Sequence, residues 1–484
     1  MLSQKKPPKV ICSSKPAHLA QLLSDQNTFK CLQHNRMLPI CEFAAGLFDP
    51  IDPSLPSFTH PAYELSSLFG PAPDTAREEE EVPQTFGDFL RDDRDPPPPP
   101  SRRAFGLYPL GNLHPATVTI NSTTVNVPPP TIEEISEYLV AFFAGWAVRL
   151  QPTVTMIAAD EPISRQRTRK VSIPTVSLVF PADDCSFPLA TRPLHRHRTT
   201  PRFLPQSCLL RRLNGMHILR VLTEKIPRGC MTAIGVTAHD LYELEAGDNE
   251  DDAGVRWTDQ DSEKKRGRKK AARTRSRRAQ SPSSSDGSND EEEDTGDGTL
   301  TVMGRATGDH VCVCSVYQFA PVPHIRPAGE ATSSLATTHG SPAAPRSPAP
   351  TPTATSGLLH RRWLIRVLQT LCHELMHTLF LDHCVYYGCL MNACVDPTRG
   401  DAEDVARFAA GGIEGPIKDA DLRHDPIDVC PICLRKLAVS LGGFDPDSRN
   451  RALLDYFTRH DLAQQAHWMR QRLAECVKAT ALSA

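Results

Sequence analysis

The sequence predicts an α/β fold (α+β in its segregation of elements) built on a mixed sheet, and three observations predict it. A strand–helix–strand pattern runs over 117–157. Short, continuously apolar runs recur at Cys230–Val236 and His310–Phe319. A long apolar-periodic helix covers Leu358–Leu381.

Taken in order, Thr117–Val127 alternates and is rich in Val, Thr and Ile, so it reads as a strand. Pro128–Pro130 stops it. Thr131 and Glu134 then form a T-x-x-E capping box that opens an amphipathic helix through about Ala144. Gly145 ends that helix, and Ala147–Ile157 returns as a second strand. Residues 207–225 read as a helix, and Cys230–Val236 as a buried strand leading into Thr237–Tyr242. Strand character resumes at Thr299–Met303 and His310–Phe319. Arg449–Val477 reads as one or two helices with a charged face.

The 484 residues include 44 prolines, and hydrophobic residues make up only 39%. Much of the length is therefore not core, and one moderate domain with long insertions fits better than three compact units. The expected organisation is a poorly ordered N-terminal extension with short docked segments over 1–104. A main domain follows over 105–440, interrupted at about 245–298, 321–357 and 396–418, and a helical segment closes the chain over 441–484. The first two interruptions are low in apolar residues or rich in Pro, Ala, Ser and Thr, so burial cannot offset their ordering entropy.

Formal net charge is -3, with a pI of about 6.7, so the global balance makes no case for nucleic acid or an anionic membrane. Charge is segregated locally. Lys264–Arg278 is a basic run between acidic segments, read as a contact for nuclear import machinery or for nucleic acid, or else as a solvated linker. No apolar run reaches the roughly 18 residues of a membrane helix, and no secretory signal stands at the start. The expectation is a soluble intracellular protein, cytoplasmic or nuclear or both. Fifteen cysteines, an odd number, then disfavour a disulfide framework and favour metal binding where they cluster.

The helix at 358–381 carries His373-Glu374-Leu375-Met376-His377, an H-E-x-x-H motif. On a helix, positions i and i+4 lie about 40° apart around the axis and about 6 Å along it. Two imidazoles so placed can grip one zinc ion. Glu374, rotated by about 100°, lies beside the ion and not on it, where it can take a proton from water. A catalytic zinc needs a third protein ligand, and His383 is the candidate. On a continuous helix it would sit about 9 Å beyond His377 on another face, so the chain must turn sharply after Leu379. Phe380 falls in that turn, and if the backbone goes left-handed there a non-Gly residue costs about 1–2 kcal/mol.

Cys384-x4-Cys389 and Cys430-x-x-Cys433 follow. Two such pairs can close a four-thiolate structural zinc site; the alternatives are a redox pair or buried thiols. Cys372 reads as a small buried residue, Cys394 as a spare thiol, and Asp382 as a surface group.

In order, His373, Glu374, His377, His383, Cys384, Cys389, Met391, Cys430 and Cys433 resemble the signature of the archaemetzincin family, H-E-x-x-H-x-x-G-x-x-H-C-x4-C-x-M followed by C-x-x-C. Asp425–Leu437, Gly235–Thr237 and Tyr138–Leu150 are similar in pieces. The resemblance implies a metzincin-like mixed sheet with the active-site helix beneath it and two zinc ions. One ion would be catalytic, on His373, His377 and His383. The other would be structural, on Cys384, Cys389, Cys430 and Cys433. Met391 would form the Met-turn under the catalytic ion. It further implies a zinc metallopeptidase with Glu374 as general base, acting on peptide or protein substrates and aminopeptidase-like on short peptides. The departures are Phe380, the longer gap between Met391 and Cys430, and the insertions. Val311–Phe319 is the expected sheet edge for substrate. Two other readings compete: a non-catalytic zinc-stabilised scaffold, and a nuclear regulatory protein acting through its basic run.

Overall fold

A computed structural model describes residues 28–31, 36–39, 58, 60–63, 84–91, 96–120, 123–159, 175–181, 185–193, 211–244, 299–302, 304–308, 310–320, 352–392 and 428–483. The insertions expected at 245–298 and 396–418, with Lys264–Arg278 and Cys394, lie outside the described residues.

In chain order the elements are β1 (Thr28–Cys31), β2 (Arg36–Pro39), α1 (Phe86–Arg91), β3 (Ala104–Leu110), β4 (Ala116–Ile120), β5 (Thr123–Val127), α2 (Ile132–Phe142), β6 (Ala147–Leu150) and β7 (Thr155–Ala159). They continue with β8 (Thr175–Phe180), β9 (Cys185–Pro193), β10 (Arg211–Asn214), α3 (Gly215–Glu224), β11 (Thr232–Thr237), β12 (Leu241–Leu244), β13 (Thr299–Val302), β14 (Gly304–Thr307) and β15 (Val311–Ser315). Four helices close the chain: α4 (Pro352–His377), α5 (Pro431–Leu441), α6 (Pro446–Arg459) and α7 (Ala463–Ser483).

The central sheet has the order β14-β15-β11-β3-β6. β11 runs parallel to β15 and β3, and β3 parallel to β6; β14 alone is antiparallel, paired to β15 with Gly304 opposite Cys314. This is the mixed sheet of an α/β fold. Its interior strands are apolar on both faces because both faces are covered. Phe105, Leu107, Ile234, Cys312 and Cys314 join the core under α4, with α2 and α5 to α7. Tyr108, Leu110, Ala233, Val311 and Val313 join a second core with α3 and the other sheet, ordered β13-β12-β10-β9-β8-β7.

Several elements differ from the sequence expectation. Thr117–Val127 is not one strand but two, β4 and β5, paired antiparallel with Thr117 opposite Asn126. Ala147–Ile157 splits at Pro152 into β6 and β7, which lie in different sheets. The parallel neighbour of β6 is β3, whose Gly106 and Pro109 break the strand pattern. Pro109 is tolerated there because the ladder with β6 ends at Leu107–Leu150, so its missing N–H removes no bond to that strand. Within 207–225, Arg211–Asn214 is a strand, and the helix starts only at Gly215. Asn214 caps it by accepting from His217 N at 3.1 Å. The helix expected at Leu358–Leu381 begins earlier, at Pro352 inside the expected linker, and ends at His377. The expected substrate edge at Val311–Phe319 is an interior strand followed by a short turn; among the described residues the edges of the central sheet are β14, next to β15, and β6. No described helix is long and apolar enough to cross a membrane.

Segments from the N-terminal region dock on the main core. Phe58, Tyr63, Phe86 and Phe89 are buried in it, and Thr85 caps α1, with Asp88 bonding back to Thr85 N at 3.0 Å. The C-terminal helices contribute Leu453, Tyr456, Phe457 and Met469 to the same core.

One buried ion cluster locks this region. Asp428 accepts from Arg449 Nη2 at 2.6 Å and Arg472 Nη1 at 2.6 Å, and all three side chains are fully buried. Arg449 Nε also donates to Phe142 O at 2.7 Å, tying α6 to α2. Desolvation alone would raise the Asp428 pKa. The two guanidiniums overcome it and hold the carboxyl below the usual range. A folded pKa below the unfolded value stabilises the fold fully above the unfolded pKa of about 3.9, and that contribution is lost as pH falls through the folded value. Asp428→Ala leaves two buried cations without their partner and is expected to cost about 3–5 kcal/mol at pH 7. Urea denaturation of the variant beside wild type checks this, and an unchanged midpoint contradicts it.

Candidate metal centre

Helix α4 carries His373, Glu374 and His377 beneath β14 and β15. After His377 the helix ends in a Schellman motif: Leu381 N bonds Met376 O at 3.2 Å, and Phe380 N bonds His377 O at 3.0 Å. Phe380 occupies the left-handed position of that motif, with φ of 65°. This is the sharp turn that the spacing to His383 required, made without Gly. The Phe380 ring meets His310 edge-on, with centroids 5.6 Å apart, and His310 Nδ1 bonds Thr378 O at 3.0 Å. The ring contacts offset part of the backbone strain.

The turn brings three imidazoles together. His373 Nε2 lies 3.0 Å from His377 Nε2, which lies 3.2 Å from His383 Nε2. His373 Nδ1 donates to Leu390 O at 2.8 Å and His377 Nδ1 to Leu381 O at 2.7 Å. Those bonds put the ring protons on Nδ1, so the two Nε2 lone pairs face one another. A cation placed between them would relieve the repulsion of lone pairs this close. Nitrogens bound to one tetrahedral zinc lie roughly 3.3 Å apart, and the donor set fits such an ion. Burial pushes the pKa of His373 down to about 3 and that of His377 to about 4, each lowered further by a neighbouring imidazole. Both rings are thus neutral at pH 7, as ligands must be.

Glu374 stands between His373 and His377 on the same helix, half-buried. Burial raises its carboxyl to about 7, against the opposing charge of Arg305 on β14. Its stem runs directly under β14 at Gly304, where an added Cβ would come within 2.6 Å of Glu374 Cγ. Any side chain at 304 would push the carboxylate aside, so close approach explains that glycine.

Met391 is fully buried in the core, and its carbonyl accepts from Cys384 N at 2.7 Å. Cys384, Cys389, Cys430 and Cys433 are all buried, with their sulfur atoms within 4.8 Å of one another and Cys384 Sγ 3.7 Å from Cys430 Sγ. Cys430 N donates to Cys389 Sγ at 3.3 Å. Hydrogen bonds from three neighbouring thiols hold Cys384 well below the ordinary thiol range, whereas burial drives Cys389 and Cys430 up. Four buried sulfurs in contact cannot share further negative charge without a cation, and the set fits one zinc ion. Cys372 is buried, and burial raises its thiol. The Asp382 side chain is exposed.

A third grouping, His60, Asp447 and Cys476, has different chemistry. His60 Nδ1 accepts from Ala62 N at 3.1 Å, which leaves the ring proton on Nε2, 3.3 Å from Asp447 Oδ1. That is an imidazole N–H facing a carboxylate, not a lone pair facing an ion.

Three supports of the site have no motif in the sequence. Leu390 O orients His373, Ser440 Oγ bonds Leu379 O at 3.1 Å, and the Gln84 side chain bonds Phe380 O and Asp382 N, both at 3.3 Å. Thr85 and Asp88 mark the α1 cap beside Gln84, a T-x-x-D signal that could have drawn attention to it.

An α/β scaffold with three imidazoles and a carboxyl under its sheet edge, beside a four-cysteine cluster, defines a protein with two candidate metal centres. Comparison with curated proteins gives Archaemetzincin-2 of Mus musculus, 34% identical over 93 residues, which is 19% of this chain and 20% of that protein. Archaemetzincin-2 of Rattus norvegicus is 33% identical over 93 residues, again 19% and 20%, and that of Pongo abelii is 33% identical over 91 residues, 19% of each. The matched chain thus spans about one-fifth of the length of these relatives. No family model matches the chain. A solved archaemetzincin from Methanopyrus kandleri aligns over 65% of this chain and 98% of its own, at 13% identity and a TM-score of 0.25, which is no measure of a shared fold. The curated matches bear out the resemblance to the archaemetzincin family that the motifs carry.

Position 380 offers a test of the turn. Phe380→Ala keeps the left-handed strain and loses the ring, whereas Phe380→Gly loses both. The Gly variant is expected to be more stable than the Ala variant by about 1 kcal/mol. Thermal and urea denaturation of the pair check this, and equal stability contradicts a left-handed residue 380.

Proposed function

We propose that this chain is a zinc-dependent metallopeptidase that holds two zinc ions, one catalytic and one structural. The observation that carries this reading is the convergence of three imidazoles, with the Nδ1 protons of His373 and His377 committed to backbone carbonyls and Glu374 on the same helix. His373, His377 and His383 would hold the catalytic ion, and Cys384, Cys389, Cys430 and Cys433 the structural one. When bound, the catalytic zinc supplies a Lewis acid that polarises a scissile carbonyl and acidifies water.

The chain's own residues do the rest. The Glu374 carboxylate takes a proton from the attacking water and passes it to the leaving amine. A pKa near 7 suits that exchange, because the group must both accept and release a proton at physiological pH. Gly304 leaves room for the Glu374 stem, and Leu390 O and Leu381 O fix the imidazole planes. An extended peptide laid along β14, an edge strand of the central sheet, would pass directly over Glu374. Aminopeptidase-like action on short peptides is supported by the family resemblance alone. A non-catalytic scaffold has no use for a carboxyl held beside the imidazoles at the cost of burial, and Glu374 favours the enzyme.

The test is cleavage of a mixed peptide library by the full chain and by Glu374→Gln, with zinc measured in both. Wild type is expected to cut, and the variant to lose about 10²–10⁴-fold in kcat/KM while keeping its zinc. Because the base acts as the carboxylate, wild-type kcat/KM should fall as pH drops through its pKa. The bound cation keeps that acid limb at or below pH 7. Equal cleavage by both proteins, or none by zinc-loaded wild type, sinks the reading.

A further inference from the structure

We infer that Gln84, anchored by Lys436, is a positioning residue for the third metal ligand. The inference rests on the reading of His373, His377 and His383 as the ligands of one ion.

His383 reaches the other two imidazoles only because the chain reverses over Leu379–Asp382. Nearly every backbone group in that reversal can be followed to its partner. Leu379 N bonds Met376 O at 3.0 Å, Phe380 N bonds His377 O and Leu381 N bonds Met376 O, all within the helix end. Leu379 O takes Ser440 Oγ, and Leu381 O takes His377 Nδ1. Phe380 O and Asp382 N remain, and one side chain takes both. Gln84 Nε2 donates to Phe380 O, and Gln84 Oε1 accepts from Asp382 N, each at 3.3 Å. The amide thus spans the left-handed residue and the residue just before His383, as a neighbouring strand would.

Gln84 comes from the N-terminal region, 296 positions away from Phe380. Lys436 of α5 holds it in place: Nζ donates to Gln84 O at 2.6 Å and Gln84 Oε1 at 2.9 Å. Lys436 is 1% exposed and Gln84 6%. A lysine is almost never fully buried unless its donors are satisfied. This one directs two donors at a single glutamine, on both its backbone and its side chain. Because Oε1 accepts from Lys436 and from Asp382 N, the amide orientation is settled, and Nε2 must face Phe380 O. Lys436 itself has no bond to the turn, so its influence on His383 passes through Gln84.

The arrangement suits Phe380 in particular. Gly at that position would let the turn form without strain, whereas Phe380 at φ 65° needs outside bonds to hold it. A turn that relaxes toward right-handed backbone would carry His383 away from His377.

The test is zinc retention by the full chain against a rising concentration of chelator, for wild type, Gln84→Ala, Lys436→Met and the double variant. Zinc per chain is counted at each step. Wild type is expected to release its two ions separately. Gln84→Ala should release the histidine-bound ion at about 10-fold lower chelator concentration, with the cysteine-bound ion unmoved. Lys436→Met should shift the same ion in the same direction. The double variant should shift no further than Gln84→Ala alone, because both changes break one chain of contacts. Release of both ions together in Gln84→Ala would overturn the inference in favour of a general packing role. So would wild-type retention by Gln84→Ala, or additive shifts in the double variant. A wild-type chain that binds no zinc at the histidines fails the ligand reading itself and the inference with it. Wild-type binding with an unaffected Gln84→Ala fails the positioning role alone.

Discussion

Two peptide bonds join the two candidate metal centres. His383 faces the imidazole cluster, and Cys384 beside it faces the cysteine cluster. Cys389 belongs to the cysteine cluster, and Leu390 beside it orients His373. The loop between these bonds has little slack. Cys384 N is tied to Met391 O, and Asn392 Nδ2 donates to both Cys384 O and Tyr387 O. A shift in the sulfur cluster therefore moves the third imidazole and the carbonyl that aims the first. The partner cysteines stand at the start of α5, beside Asp428. The backbone of Asp428 accepts from Leu390 N at 3.1 Å, and its side chain holds Arg449 and Arg472. The buried ion cluster thus anchors the loop from behind.

Among the described residues the same helix ending occurs three times, with three different residues at its left-handed position. α5 ends at Gly442, with φ of 75°; α6 ends at Asp461, with φ of 54°; and α4 ends at Phe380, with φ of 65°. In each the following amide bonds back five residues: Gly443 to Ala438, Leu462 to Phe457 and Leu381 to Met376. Gly takes this conformation freely, Asp at modest cost and Phe at about 1–2 kcal/mol. Phe380 is the costly case, and it is the one braced by His310, Gln84 and Ser440. The departure from Gly that the sequence shows is thus not a loss of the turn. The turn survives, and contacts from three distant elements replace what Gly would have done alone.

How much could be read beforehand depended on whether the signal was local. The α4 helix, its metal-binding spacing and the cysteine pairs are patterns within a few residues, and each reads directly from the chain. The T-x-x-E box at Thr131 predicted a cap that the structure contains, with Thr131 N bonded to Glu134 Oε2 at 2.7 Å. β3 was obscured because Gly106 and Pro109 weaken a strand pattern in isolation, and tertiary context permits both. The interior place of β15 was equally hidden, since a strand's neighbours are not written in its own residues. Gln84 and Lys436 carry no local pattern that points to each other or to the turn. They matter only because the fold brings distant segments together.

The coupling of the two centres is tested most directly by zinc X-ray absorption on the full chain beside Cys389→Ser. Wild type should give a mixed first shell, with sulfur at about 2.3 Å and nitrogen at about 2.0–2.1 Å in similar amounts. In Cys389→Ser the account predicts loss of the sulfur shell together with weakened occupancy of the nitrogen shell, in a chain whose circular dichroism still shows its helices and strands. A variant that loses sulfur scattering yet keeps full nitrogen-bound zinc would contradict it, because the histidine centre would then stand without the cysteine centre beside it.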